Sequence, residues 1–182
     1  GRPGIVHRLD KRTSGLMVVA KNNGAHAKLG KAFQDRLIQK TYLALVHGKP
    51  AQNSGSIDLS IARHPAIRTR MTARPFRGRT AHSEYRVLET MREFSLIEVK
   101  IKTGRTHQIR VHLSSIGHPV VGDDVYGERA YREYSRKYGP MNRYFLHAAE
   151  LRFTHPTTGV TMEFHSVLPT ELQELLDRLR EK

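Results

Sequence analysis

The sequence has no cysteine. Disulfide frameworks, thiol catalysis and cysteine-ligated zinc or iron–sulfur centres are thereby excluded, and the composition fits a reducing compartment. No apolar run approaches the ~18 residues of a membrane span, and no signal peptide is visible. Aromatics make up only 7% of the chain, yet hydrophobic residues reach 38%, too many and too varied for a disordered basic tail. Acid is scarce as well. Seventeen Asp and Glu stand against 31 Lys and Arg, a formal charge of +14 on 182 residues. A domain so charged attracts polyanions, with nucleic acid ahead of an anionic membrane surface.

The shortage of acid is uneven. Between Asp58 and Glu84 there is none, and the stretch carries Arg63, Arg68, Arg70, Arg74, Arg77 and Arg79. Pro65, Pro75 and Gly78 interrupt it, so it reads as extended or looped, not as an amphipathic membrane-binding helix. Arginine without lysine suits planar, bidentate phosphate contact. The plainer reading is a solvated basic loop, against which six uncompensated arginines repel one another.

The length suits one domain able to close its own core. No repeat or low-complexity linker divides it. Residues 1–15 read as a loop, 16–21 as a short apolar strand and 24–37 as a helix with Leu29, Ala32, Phe33 and Leu37 on one face. Residues 41–46, 83–88 and 95–102 read as strands. Thr106 is placed to cap a helix running to Ile116, ended by Gly117. Residues 148–154 and 160–164 form a hairpin pattern, and Thr170 opens a helix carrying Leu172, Leu175, Leu176 and Leu179. Adjoining strands without crossover helices predict an α+β fold with a mixed, largely antiparallel sheet and flanking helices.

Three segments can carry chemistry. His7-Arg8-Leu9-Asp10 puts a carboxylate on a loop rich in cations and hydroxyls (Lys11, Arg12, Thr13, Ser14), where positive charge favours its ionised form. Asp10 is then a nucleophile, a base, or one half of an ordinary ion pair in a turn. Residues 102–112 leave a strand, turn at Gly104 and open a helix. The backbone N–H groups there can hold phosphate beside Arg105, His107 and Gln108, and Arg110 lies one turn on, within reach of a buried carboxylate. In Lys40-Thr41-Tyr42, the tyrosine ring either packs in the core or faces a pocket. Eleven histidines invite a metal, but there is no HExxH, and His107 and His112 are spaced off the one-face pairing. No Walker loop or dinucleotide fingerprint is present. Gly-His-Pro at 117–119 and Gly-Asp-Asp at 122–124 read as turns.

Taken in chain order, the His-Arg-Leu-Asp-x-x-Thr-Ser-Gly-Leu, Lys-x-Tyr-x-Ala-x-Val and Thr-Gly-Arg-Thr-His-Gln-Ile-Arg-Val-His strings resemble the RluA/RluD family of pseudouridine synthases. The 117–123 segment, Leu146-His147-Ala148, His155-Pro156-x-x-Gly159 and the closing leucine helix fit the same pattern. The resemblance spans nearly the whole chain and is closest to the branch acting on large-subunit ribosomal RNA. It implies the pseudouridine synthase catalytic fold over residues 1–182, beginning nine residues before Asp10, without the family's upstream Lys-Pro strand or an S4-like RNA-binding domain. It also implies roles: Asp10 as the catalytic aspartate, Tyr42 stacking on the target base and assisting proton removal, Arg110 pairing with Asp10, Arg8 helping to displace the base, and Leu146 lining the pocket. The family uses no metal and no organic cofactor. Thr13, Ser14, Arg105, His107, Gln108, Arg68, Arg70 and Arg77 complete the expected RNA contacts. The expected molecule is a cytoplasmic monomer that acts on ribosomal RNA and not on a membrane. The same reaction on transfer RNA, and a non-catalytic RNA-binding or ribosome-assembly protein on this fold, are the competing readings. Isomerisation requires the base to leave the stack, at a few kcal/mol that phosphate contacts can offset.

Overall fold

A computed structural model describes residues 3–74 and 78–181. The main sheet follows the order β1-β8-β2-β7-β6-β3, with β9 also paired to β8. Its strands are β1 (Ser14–Gly15), β2 (Gln39–His47), β3 (Ser54–Ile57), β6 (Ser83–Met91), β7 (Phe94–Ile101), β8 (Leu146–Thr154) and β9 (Thr161–His165). A separate two-stranded ribbon joins β4 (Ser60–Arg63) to β5 (Met71–Arg74). The helices are α1 (Asn23–Gln34), α2 (Gln108–Ser115), α3 (Glu128–Tyr138) and α4 (Thr170–Arg180). All pairings are antiparallel except β1 with β8. The α+β reading with a largely antiparallel sheet is what the chain adopts. Among the described residues, no helix is long and apolar enough to cross a membrane.

The position of β2 determines where the site can be. It lies between β7 and β8 and is buried on both faces, so its alternating side chains feed two cores. Tyr42, Ala44 and Val46 join Ile97, Val99, Ile109 and Leu113 on the α2 side. Leu45 points the other way, to Phe145, Leu96 and the four leucines of α4. Burying those leucines contributes roughly 1.5–3 kcal/mol each, which anchors α4 without a side-chain cap. The register between β2 and β8 slips at Thr41/Tyr42, where Tyr42 faces Ala148 and Thr41 faces Glu150. Such a bulge re-aims the side chain beside it.

Several expectations shift. Residues 16–21 are not a strand: after the two-residue β1 only Val19 bridges, to Ile5, while Met17 and Val19 stay largely exposed. The expected 24–37 helix stops at Gln34 because Arg36 turns left-handed, φ 60°, which swings Leu37 into solvent and sends Ile38 into the core instead. The Thr106 cap is not used. His107 occupies the cap in the left-handed region (φ 57°, ψ 21°), and α2 starts at Gln108. Helix α3 is not among the expected elements: its inward face is built from Tyr131, Tyr134 and Tyr138 among charged residues, without aliphatic side chains, and only Tyr134 is buried. The acid-free stretch is extended as expected, forming the β4–β5 ribbon. Arg77 lies outside the described residues.

Candidate active site

The carboxylate loop is held from both ends. Upstream, His7 is half-buried, stacks on Phe33 at 4.7 Å and accepts the Val18 N–H at 2.9 Å. Burial, with the charge of Lys40, lowers its pKa to about 4, so it is neutral and structural. Downstream, Gly15 (φ 116°) lies flat against β8, where an added Cβ would come within 2.3 Å of the Ala148 carbonyl oxygen. Only glycine permits that approach. Between these anchors the Thr13 N–H closes a turn on the Asp10 carbonyl at 2.9 Å, and the Asp10 side chain is largely buried.

Arg110 meets it from α2. Its Nη1 donates to Asp10 Oδ2 at 3.0 Å. The other edge of the same guanidinium is taken by a residue that the sequence reading passed over as a turn. Asp123 accepts from Nε at 2.7 Å and Nη2 at 3.0 Å, while its Oδ1 also takes the Val125 and Tyr126 N–H groups at 3.0 and 3.1 Å. The signal that could have found it is donor arithmetic: a buried arginine has five N–H donors, more than Asp10 alone can satisfy. Tyr144 and Tyr126 flank the guanidinium, with ring centroids 3.9 and 4.9 Å from Cζ. Burial opposes the charge on Arg110, but Asp123, Tyr144 and Asp10 more than offset this and keep it protonated.

Above Asp10 opens a cavity of about 420 Å³, within the usual range for small-molecule sites. Tyr42 and Leu146, both buried, and Ile101 give it an apolar wall. Burial and the nearby Asp10 charge push the Tyr42 phenol up, so it stays protonated and presents a neutral ring and an O–H. Arg8 is exposed at the rim, and Thr13, Arg105 and His107 line the cavity too. The buried Thr13 hydroxyl has no partner. His107 Nδ1 shares a 2.7 Å hydrogen bond with Tyr126 Oη, and its Nε2 stands 4.0 Å from Asp10 Oδ1. Burial lowers the His107 pKa, against the opposing pull of Asp10.

Two expected RNA contacts are engaged within the protein, although Gln108 also lines the main cavity. Gln108 is buried, and its amide is fully used: the oxygen accepts from Thr103 Oγ1 and the Arg105 N–H, and the nitrogen donates to the His82 carbonyl and Ser83 Oγ. With no donor or acceptor left, it fastens the 103–108 turn to β6. Ser14 is not among the residues lining the cavity; it bonds His147 Nδ1 at 2.8 Å and takes a hydrogen bond from Arg143. Arg70 lines an adjoining cavity of about 500 Å³ with Arg8, Asp10, His107 and Arg110, whereas Arg68 sits exposed at the ribbon's tip.

The charge of the main cavity is its most telling property. Among the described residues lining it, Asp10 is the one carboxylate, against Arg8, Arg36, Lys40, Arg79, Lys102, Arg105 and Arg110. Arg36 and Lys40 were not foreseen as site residues. Burial lowers both Arg105 and Lys40, and neighbouring cations add to it: Arg79 and Arg36 act on Arg105, and Arg105 acts on Lys40, which is lowered to about 8. Six of these cations have no acidic partner within the cavity, an arrangement that a polyanion would relieve.

Comparison with known proteins agrees with this picture. Residues 1–115 match the family model described as RNA pseudouridylate synthase. A Chloroflexus aurantiacus protein named as an RNA pseudouridine synthase is 48% identical over 181 residues, spanning 100% of this chain and 55% of that protein. The ribosomal large subunit pseudouridine synthase D of Pasteurella multocida is 43% identical over 185 residues, spanning 98% of this chain and 56% of its own length. The chain thus spans little more than half the length of these curated relatives. Among solved structures, human RNA pseudouridylate synthase domain containing 1 superposes with a TM-score of 0.76 at 32% identity, over 97% of this chain and 80% of that one. The corresponding human domain containing 4 gives 0.79 at 27% identity, over 97% and 75%.

Proposed function

This chain belongs to the RNA pseudouridylate synthase family, and from that premise we propose that it isomerises uridine to pseudouridine in large-subunit ribosomal RNA, with Asp10 as the essential catalytic group. The observation that carries the reading is the single carboxylate, Asp10, held by Arg110 at the floor of a cavity otherwise lined by cations and an apolar wall.

The chemistry balances without any added reactant. The bond from C1′ to N1 breaks, the base turns, a bond from C1′ to C5 forms, C5 loses its proton and N1 ends protonated. The uridine first has to leave its helix. Arg8 at the rim braces the vacated stack, while Arg105, Arg79 and Arg36 take the phosphates on either side. The uracil then lies against Tyr42 and Leu146, where the neutral phenol offers a flat face and a hydroxyl for proton transfer. Asp10 acts on the nucleoside through a carboxyl group whose Oδ2 is held by the Arg110 hydrogen bond. Asp123, by occupying the rest of that guanidinium, fixes where Nη1 points and so where the Asp10 oxygen sits. Ribosomal RNA is the preferred substrate because relatives at 42–44% identity carry the large-subunit name. The reading implies work in the cytoplasm beside ribosome assembly.

The test is pseudouridine formation on large-subunit ribosomal RNA transcript, on intact particles and on transfer RNA, with Asp10→Asn alongside. The expected result is turnover on ribosomal RNA by the wild type and none by Asp10→Asn, with RNA affinity held within about threefold because no phosphate contact is lost. Turnover by Asp10→Asn would refute the assignment, and turnover confined to transfer RNA would move the substrate.

A further inference from the structure

The β4–β5 ribbon touches the site through a chain of hydrogen bonds that phosphate binding does not require. Met71 stands opposite Arg63 in the ribbon, and its backbone N–H donates to Tyr126 Oη at 2.8 Å. The same oxygen lies 2.7 Å from His107 Nδ1, and His107 Nε2 faces Asp10 Oδ1 at 4.0 Å. Residue 107 holds this place in the left-handed region, which a non-glycine residue seldom adopts and which recurs at functional sites.

The donor count fixes the direction of the chain. A backbone N–H can only donate, so Tyr126 Oη accepts from Met71 and its own hydrogen is free for His107 Nδ1. A neutral imidazole accepting at Nδ1 carries its proton on Nε2, the nitrogen that stands 4.0 Å from Asp10 Oδ1, near enough for charge to act but beyond hydrogen-bond length. The reverse tautomer would set a nitrogen lone pair against a carboxylate and leave the Tyr126 hydrogen without an acceptor. The charged groups facing His107 are Asp10, Arg110, Asp123 and Arg8, and Arg70 lines the same adjoining cavity.

We infer that Tyr126 is a positioning residue that couples the arginine ribbon to the catalytic carboxylate: ribbon docked through Met71, His107 held in its Nε2–H tautomer, and Asp10 gripped at Oδ2 by Arg110 and steadied at Oδ1 by His107. RNA phosphates on Arg68 and Arg70 hold the ribbon in place, so substrate binding outside the pocket orders the carboxylate inside it. This deepens the proposed isomerisation and rests on it for its catalytic consequence, but the tautomer itself is independent of turnover.

Tyr126→Phe deletes the hydroxyl and keeps the ring on Arg110. Met71→Pro deletes the donated N–H together with the methionine side chain, at an edge position that tolerates proline, and Met71→Ala controls for the side chain. The readout is the ring nitrogen resonances of His107 through a pH titration, together with single-turnover rates on ribosomal RNA. Both variants are expected to lose the single Nε2–H tautomer and to raise the His107 pKa by about half a unit or more: Tyr126→Phe frees Nδ1 to take a proton, and Met71→Pro releases the Tyr126 oxygen from the ribbon, so that it can turn and accept from a protonated Nδ1. The single-turnover rate should fall about tenfold with RNA affinity within about twofold, and its acid limb should move to higher pH. A His107 tautomer and titration unchanged in whichever variant folds would overturn the inference, whatever the rate does. A changed tautomer in a wild-type background that makes no pseudouridine would refute the proposed reaction and leave the coupling standing.

Discussion

Arg110 and Asp123 are joined by two hydrogen bonds, Nε to Oδ2 at 2.7 Å and Nη2 to Oδ1 at 3.0 Å, with both side chains almost wholly removed from solvent. The pair is a fork in a fixed plane, and the remaining Nη1 is thereby aimed at Asp10. Removing one member strands the other's charge in the interior. Asp123→Ala is expected to lower stability by about 3–5 kcal/mol, read as a lower denaturant midpoint. Asp123→Asn keeps the shape and loses the charge, so it should cost less stability but still slow turnover by letting the Arg110 guanidinium rotate. Equal stability of Asp123→Ala and wild type would show that the pair is dispensable.

The arginines of the ribbon make a different kind of prediction. Arg68→Ala with Arg70→Ala should weaken RNA binding across sequences and reduce the slope of log affinity against log salt by about 1.5, from roughly 0.7–0.9 per lost phosphate contact. Melting temperature should hardly move, since neither side chain is buried. An unchanged slope removes the ribbon from the RNA face.

Gly15 tests the anchoring of the carboxylate loop. Alanine there would need a φ of 116° and would press its Cβ into the backbone of Ala148. Since the contact is with backbone on an inner strand, relief requires the loop to lift, carrying Asp10 away from Arg110. Gly15→Ala is expected to cost about 1–3 kcal/mol and to abolish turnover more completely than it destabilises the fold. Normal activity in a folded Gly15→Ala protein would show that the loop tolerates displacement.

The buried histidines set the acid limit of the fold. His7 has a folded pKa of about 4 against an ordinary value of 6.5, so between those pH values the unfolded chain binds more protons. Its contribution is complete above pH 6.5 and is lost as pH falls toward 4. His47, His112 and His147 are lowered in the same sense, each chiefly by burial. His7→Gln should flatten the fall in stability over that window by about 1–2 kcal/mol, allowing for its partial exposure. A titration of stability identical to wild type would mean that His7 is protonated in the folded state.

What could be read from the sequence divides along physical lines. Strands with alternation, such as β6 and the second half of β7, and the leucine helix α4 were legible because their periods reflect burial. Asp10, Tyr42 and Arg110 were legible because three motif strings carry them, and Leu146 because the Leu146-His147-Ala148 segment does; the structure gathers all four around one cavity. Asp123 was not, because Gly-Asp-Asp looks the same whether its carboxylate caps a solvent turn or neutralises a buried arginine 13 positions earlier. Gln108 shows the opposite: a polar residue beside a helix start suggests a ligand contact, while its amide is spent on Thr103 and Arg105 in the turn before it and on His82 and Ser83, 26 and 25 positions earlier. Arg36 sits at the left-handed turn after α1, a backbone event without a distinctive residue to announce it, and Lys40 reaches the cavity from β2, two residues before Tyr42.

The parallel pairing of Ser14 and Gly15 with His147 and Ala148 spans 133 positions of the chain. Contacts this distant in sequence are assembled late, because the intervening loop must close before they form. On a translating ribosome, the loop that carries Asp10 leaves the exit tunnel long before the strand that must hold it has been made. A nascent chain therefore exposes its arginines to nearby RNA while it still lacks an ordered carboxylate. Attraction comes first, and the Asp10 loop can be ordered only once synthesis has passed residue 148, so under the proposed function the fold's own topology sets the earliest point at which turnover can begin.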